Sequence, residues 1–134
     1  MLYPRSVTYA IDSLSFLAGY EPNTFIKVKT IASELGIPEH YLGKIFTSLV
    51  RKKITISAKG PTGGVALAQD PAKLTLYAIL EALDALEQIE ENCVLGLNSC
   101  SGDESCPFHN EWGQFRDKLS SIARKTTLAS LVKH

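Results

Sequence analysis

No run of this 134-residue chain approaches the roughly 20 apolar residues that a membrane-spanning helix needs. Its first apolar stretch is broken by Asp12, so it reads neither as a span nor as a secretory signal, and a cytoplasmic location is expected. An excess of charge of one sign is also missing. Fourteen basic side chains balance fourteen acidic ones, which excludes a protein that holds polyanions by bulk charge alone. Internal repeats and low-complexity segments are absent, as are a nucleophile–base constellation and a phosphate-binding loop, so an enzyme is not expected. Cysteine is scarce: three residues cannot all pair within one chain, which argues against a disulfide framework.

What is present is enough for one compact domain, since 45% hydrophobic residues with 21% charged is too apolar for a disordered chain. The charge is unevenly spread. Residues 1–66 carry eight basic side chains against four acidic ones, and the remainder six against ten, so a +4 half is joined to a −4 half. That polarity suggests one face for phosphate and another for something else.

Apolar spacing predicts a first helix with Val7, Ala10, Ile11, Leu14, Leu17 and Ala18 on one face, Ser6 as its N-cap and Gly19 near its end. A second helix starts near Val28, buries Ile31, Ala32 and Leu35, and stops at Gly36, which tolerates the left-handed conformation. Pro38 suits the first turn of a third helix, which buries Leu42, Ile45, Phe46 and Leu49 and ends in Arg51-Lys52-Lys53. Ile54-Thr55-Ile56 and Val65-Ala66-Leu67 flank Lys59-Gly60-Pro61-Thr62-Gly63-Gly64, the pattern of a hairpin with a glycine-rich tip. From Thr75 a fourth helix is expected to about Glu91, with Leu76, Ile79, Leu80, Leu83 and Leu86 as its stripe. A last helix restarts at Cys106-Pro107 and carries the seam Trp112, Phe115, Leu119, Ile122, the narrow stripe of a helix that packs on another helix. Too little chain follows to cover that seam, so these four residues are expected at a homodimer interface.

Helix, tight turn, helix, with Ala32, Gly36, Leu42 and Ile45 in place, is the spacing of a helix-turn-helix, and the basic hairpin behind it makes a winged helix. The chain is therefore expected to be mainly α, with residues 1–74 as a DNA-binding region and 75–134 as a metal-loop and dimerisation region of one compact domain. In that arrangement Glu39, His40, Gly43, Lys44 and Thr47 face base edges in the major groove. Lys29, Tyr41, Arg51 and Lys52 suit phosphates, which position the protein without reading sequence. The wing would enter the neighbouring minor groove, Lys59 supplying charge and Gly63 and Gly64 letting the backbone approach closely. An ordinary helical hairpin would explain the apolar positions but not the adjoining wing.

The remaining motif is Cys93-x6-Cys100-x5-Cys106-x2-His109. Glu90, Glu91, Asp103 and Glu104 disfavour three crowded thiolates unless a cation is bound among them. Three soft sulfurs and an imidazole suit an iron–sulfur cluster or tetrahedral zinc, and the short knuckle usual in structural zinc sites is missing. Free or redox-active thiols are the third reading.

Together these residues resemble the Rrf-two family of bacterial winged-helix transcription regulators. The resemblance spans nearly the whole chain: Tyr9-Ala10, Ile31-Ala32 through Gly36-Ile37, Tyr41-Leu42, Lys59-Gly60 with Gly63-Gly64, Asp70-Pro71, the three-cysteine loop and Thr127-Leu128. It implies a homodimer on double-stranded operator DNA whose affinity is set by an iron–sulfur cluster, 2Fe–2S favoured and 4Fe–4S the alternative, that senses redox state, nitric oxide or cluster status. The resemblance assigns the metal ligands as Cys93, Cys100 and Cys106, with His109 fourth, as in IscR-like members. NsrR-like members instead use an aspartate of the partner's first helix, where this chain has Thr8. Other departures are a first cysteine gap of six residues instead of five, Gly43 in place of an acidic residue, Lys59 in place of arginine, and Val65 in place of an aromatic. Alternatives are a thiol- or zinc-sensing regulator without a cluster and, from another class, an electron-transfer or cluster-carrier protein.

Overall fold

A computed structural model describes residues 3–86 and 108–132. Helices α1 (Arg5–Ala18), α2 (Val28–Leu35) and α3 (Glu39–Arg51) come first, then strands β1 (Thr55–Ala58) and β2 (Gly64–Leu67). Helices α4 (Leu76–Ala82), α5 (His109–Lys125) and α6 (Leu128–Val132) follow, so the architecture is mainly helical with one two-stranded antiparallel sheet.

The core is built from the apolar faces that the spacing predicts. Ala10, Leu14 and Leu17 of α1 meet Ile31 and Ala32 of α2 and Leu42, Ile45, Phe46 and Leu49 of α3, all of them buried. Ala32 is the small residue that lets α2 and α3 approach. Leu74, Ile79, Ala82 and Leu128 belong to the same buried cluster, so the core does not divide at residue 74. A second, smaller cluster joins Val7, Leu80, Ala85 and Ala123.

Three helices end in the same way. After α2 the Ile37 N–H bonds back to the Ala32 carbonyl at 3.0 Å, after α3 Ile54 bonds to Leu49 at 2.9 Å, and after α4 Ala85 bonds to Leu80 at 2.9 Å. Each closure places one left-handed residue at the corner: Gly36 (φ 67), Lys53 (φ 61) and Asp84 (φ 55). This corrects the expected length of the fourth helix. Leu83 and Leu86 keep the helical period, but the chain turns at Asp84, and α4 ends at Ala82; residues 87–91 lie outside the described ones. Ser6 is not the cap of α1 either. Pro4 holds that position and accepts the Val7 N–H at 3.0 Å, so Ser6 lies within the first turn.

The chain closes on itself after α5. Thr127 bridges Thr75, with Leu76 N–H donating to the Thr126 carbonyl (2.8 Å), Leu128 to Leu74 (2.8 Å) and Ala129 to Pro71 (2.9 Å). Helix α6 then packs on α1. No helix among the described residues is long and apolar enough to cross a membrane.

Candidate nucleic-acid interface and metal-ligand residues

Helix α3 buries one face and offers the other. Glu39, His40, Tyr41, Lys44, Thr47, Arg51 and Lys52 are exposed, and Gly43 is half-buried. Glu39, His40, Gly43, Lys44 and Thr47 line one shallow depression of about 540 Å³ together with Val28 from the start of α2. The expected base-reading residues thus form one concave surface. The exposed Thr47 hydroxyl donates to the Gly43 carbonyl at 3.0 Å, which leaves its oxygen able to accept. A Cβ at Gly43 would meet nothing within 4 Å, so packing does not require glycine in this helix, where it is disfavoured.

Tyr41 does more than the sequence suggests. It is 41% exposed, yet its ring meets Tyr9 edge-on at 5.5 Å, which braces the start of α3 against α1. Lys29 is exposed on α2, as a phosphate contact requires.

The wing pairs Thr55 with Leu67, Ile56 with Ala66, Ser57 with Val65 and Ala58 with Gly64. Lys59, Gly60, Pro61 and Thr62 form its exposed tip. Gly63 and Gly64 answer to constraints inside the protein. Gly63 is buried, and a Cβ there would strike the Ala58 carbonyl; at Gly64 (φ 143) a Cβ would strike the backbone of Ile26. Ile26 is bridged to Val65 by two hydrogen bonds of 2.9 and 2.8 Å, so residue 26 acts as a third rung beside the hairpin. Lys27, which motif spacing does not single out, reaches back from the start of α2 to donate to the Gly60 carbonyl at 3.1 Å. A lysine at a helix N-terminus, where an acceptor side chain is usual, was the available signal.

Cys93, Cys100 and Cys106 lie outside the described residues, and His109 is described only as the first residue of α5. Among the described residues, no group of three His, Cys, Asp or Glu side chains is placed to hold a metal. The seam of α5 presents Phe115 and Ile122 to solvent at 46% and 50% exposure, and Trp112 and Leu119 are half-buried. The Trp112 and Phe115 rings lie 5.7 Å apart.

A family model described as Rrf2, iron-dependent transcriptional regulators, matches residues 3–134. The chain belongs to the Rrf2 family. Among relatives, an Aquifex aeolicus protein named for helix-turn-helix (HTH) transcriptional regulation is 32% identical over 98% of this chain and 92% of its own. The HTH-type transcriptional regulator IscR of Yersinia enterocolitica is 27% identical over 94% of this chain and 76% of its own. Among solved structures, CymR, the global cysteine regulator of B. subtilis, superposes with a TM-score of 0.79 at 25% identity, covering 97% of this chain and 95% of that one. T. potens IscR shares the fold, with a TM-score of 0.73 at 19% identity over 97% of this chain and 85% of that one. The Rrf2 chain is accordingly a winged-helix, DNA-binding transcription regulator and not an enzyme.

Proposed function

We propose that this Rrf2 chain acts in the bacterial cytoplasm as a homodimer on operator DNA, with affinity set by an iron–sulfur cluster held by Cys93, Cys100, Cys106 and His109. The observation that carries the reading is the donor set itself. Three thiols and an imidazole fall within 17 residues, directly ahead of and into α5, in a chain 27% identical to an IscR protein. Soft sulfur and imidazole donors fit an iron–sulfur cluster, 2Fe–2S favoured over 4Fe–4S. When bound, the cluster supplies a local charge that changes with its oxidation state.

The chain's own residues do the rest. The depression on α3 sits in the major groove, Lys44 donating to a base edge and His40 contacting a base or phosphate. Lys29, Tyr41, Arg51 and Lys52 hold the flanking phosphates, and the wing enters the minor groove with Lys59 forward. Gly63 serves there by letting the hairpin close tightly on Ala58, and Gly64 by letting it lie against Ile26. Trp112, Phe115, Leu119 and Ile122 pack against the same seam of a second copy. A shift of α5 passes through Thr126–Ala129 to residues 71–76, which follow the wing directly. Coupling of about 1 to 3 kcal/mol would change operator affinity about 5- to 150-fold.

A second reading is a thiol- or zinc-responsive regulator without a cluster, favoured by the likeness to the cysteine regulator CymR. Anaerobic purification separates the two. A cluster protein is brown and yields iron with acid-labile sulfide; zinc alone, or neither metal, would overturn the cluster reading. His109→Ala should then bleach faster with oxygen or chelator, whereas His40→Ala should leave the visible spectrum unchanged. A His109→Ala protein identical to the parent in spectrum and lability would move the fourth ligand elsewhere.

A further inference from the structure

Lys27 occupies the N-cap position of α2 (φ −67, ψ 140) yet makes no cap hydrogen bond, and the first turn of α2 has no acidic residue to balance it. A cation there opposes the helix dipole, so its local environment gives no reason for a lysine. Its side chain instead crosses to the wing. Nζ lies 3.1 Å from the Gly60 carbonyl, 33 positions on. That same carbonyl accepts the Gly63 N–H at 3.0 Å, the bond that closes the tip turn, and Gly60 itself holds a left-handed conformation (φ 98). One oxygen therefore joins the tip's internal turn to the first helix of the helix-turn-helix.

The wing is then held at two heights. Its base is fixed by the backbone bridge between Ile26 and Val65 and by the close approach of Gly64 to Ile26. Its tip is fixed by the Lys27 ammonium alone among the described hydrogen bonds. Val28, the next residue, lines the depression that carries His40, Lys44 and Thr47. The chain from 26 to 28 thus touches wing base, wing tip and reading surface in three consecutive residues. Both Lys27 and Gly60 are exposed, so the tether lies where the wing would meet DNA.

We propose that Lys27 is a positioning residue for operator binding: its bond to Gly60 sets the distance of the wing tip from α3. This inference rests on the DNA-binding reading of the wing and α3. Lysine has three N–H donors, and one is committed to the wing; an arginine can make the same bond, whereas a methionine keeps only the length and apolar stem.

The test uses the full-length protein, a duplex enriched from a randomised pool by the parental protein, and the variants Lys27→Met, Lys27→Arg and Lys59→Met. Affinity is measured across a salt series and extrapolated to 1 M, where phosphate neutralisation has largely dropped out. Amide hydrogen exchange at Gly63 is followed in the free protein. Lys27→Met should lose about tenfold in the extrapolated affinity, as expected for a lost charge-assisted hydrogen bond, and exchange faster at Gly63. Lys27→Arg should restore both. Lys59→Met should lower only the salt slope, by about one, with Gly63 exchange unchanged. A Lys27→Met protein whose loss lies wholly in the salt slope, with parental exchange, would make Lys27 a simple phosphate contact and overturn the inference. Unchanged affinity would overturn it too. If the parental protein enriches no sequence, the DNA-binding reading fails and this inference goes with it.

Discussion

Helices α3 and α5 are both amphipathic in sequence, but they find their apolar partners in different places. In 13 residues α3 buries Leu42, Ile45, Phe46 and Leu49. Helix α5 is longer, at 17 residues, yet Ala123 is its one buried side chain among those described, and Phe115 and Ile122 stand about half exposed. The reading half is complete within one chain, down to glycines that fit only as glycine. The other half carries a stripe that stands about half exposed among the described residues, and that a second copy covers in the dimer proposed above. An amphipathic pattern therefore states that a face will be covered, and only packing states by what.

The sharpest way to break that contrast is Leu119→Asp. A charge in the middle of the seam should abolish the proposed dimer and, by unlinking two half-sites, reduce operator affinity about 100-fold or more. Sedimentation and a binding titration check both, and a folded dimer with parental affinity would show that the seam is covered within the chain. Gly64→Ala tests completeness in the first half. With φ 143 and Ile26 backbone in the way, the new methyl should cost about 2 to 4 kcal/mol in denaturant unfolding and detach the wing base. An unchanged midpoint would mean that the bridge to Ile26 gives way easily. The smallest effect is expected at Gly43→Ala. Nothing surrounds the new methyl, so the protein should gain up to about 1 kcal/mol of stability from helix propensity while its operator preference changes. Loss of stability there would mean that the outer face of α3 is constrained by packing after all.

The reading helices were plain in the sequence because their signals are local. Apolar residues recur at helical spacing, Gly36 marks the turn, and the glycine-rich tip lies between β-branched runs. Lys53 and Asp84 were not readable. They form the same left-handed corner as Gly36, but neither residue type announces it, so the fourth helix looks longer in sequence than it is. The packing role of Gly63 and Gly64 was not readable for a related reason. Their glycine requirement comes from Ala58 and from Ile26, and the contact with Ile26 spans nearly forty residues of chain. Lys27 was missed because the partner of its ammonium is a carbonyl, which leaves no trace in side-chain patterning. The three-cysteine and histidine motif, by contrast, is visible in the sequence, while its assignment as a ligand set is what the family resemblance implies.

The rungs between Thr75 and Thr127 carry a consequence for how such chains vary. They act as a clasp: Leu76 bonds to Thr126 and Leu128 to Leu74, so the start of α4 and the end of α5 are fixed side by side, while Ile79 and Ala82 of α4 stay in the main core. For a segment clasped at its base, doubling the length adds only about 0.6 kcal/mol to the cost of closure. The cysteine spacing can therefore lengthen or contract without re-threading α1 to α3. Residues added between α4 and α5 would leave both this clasp and the core contacts of Ile79 and Ala82 in place.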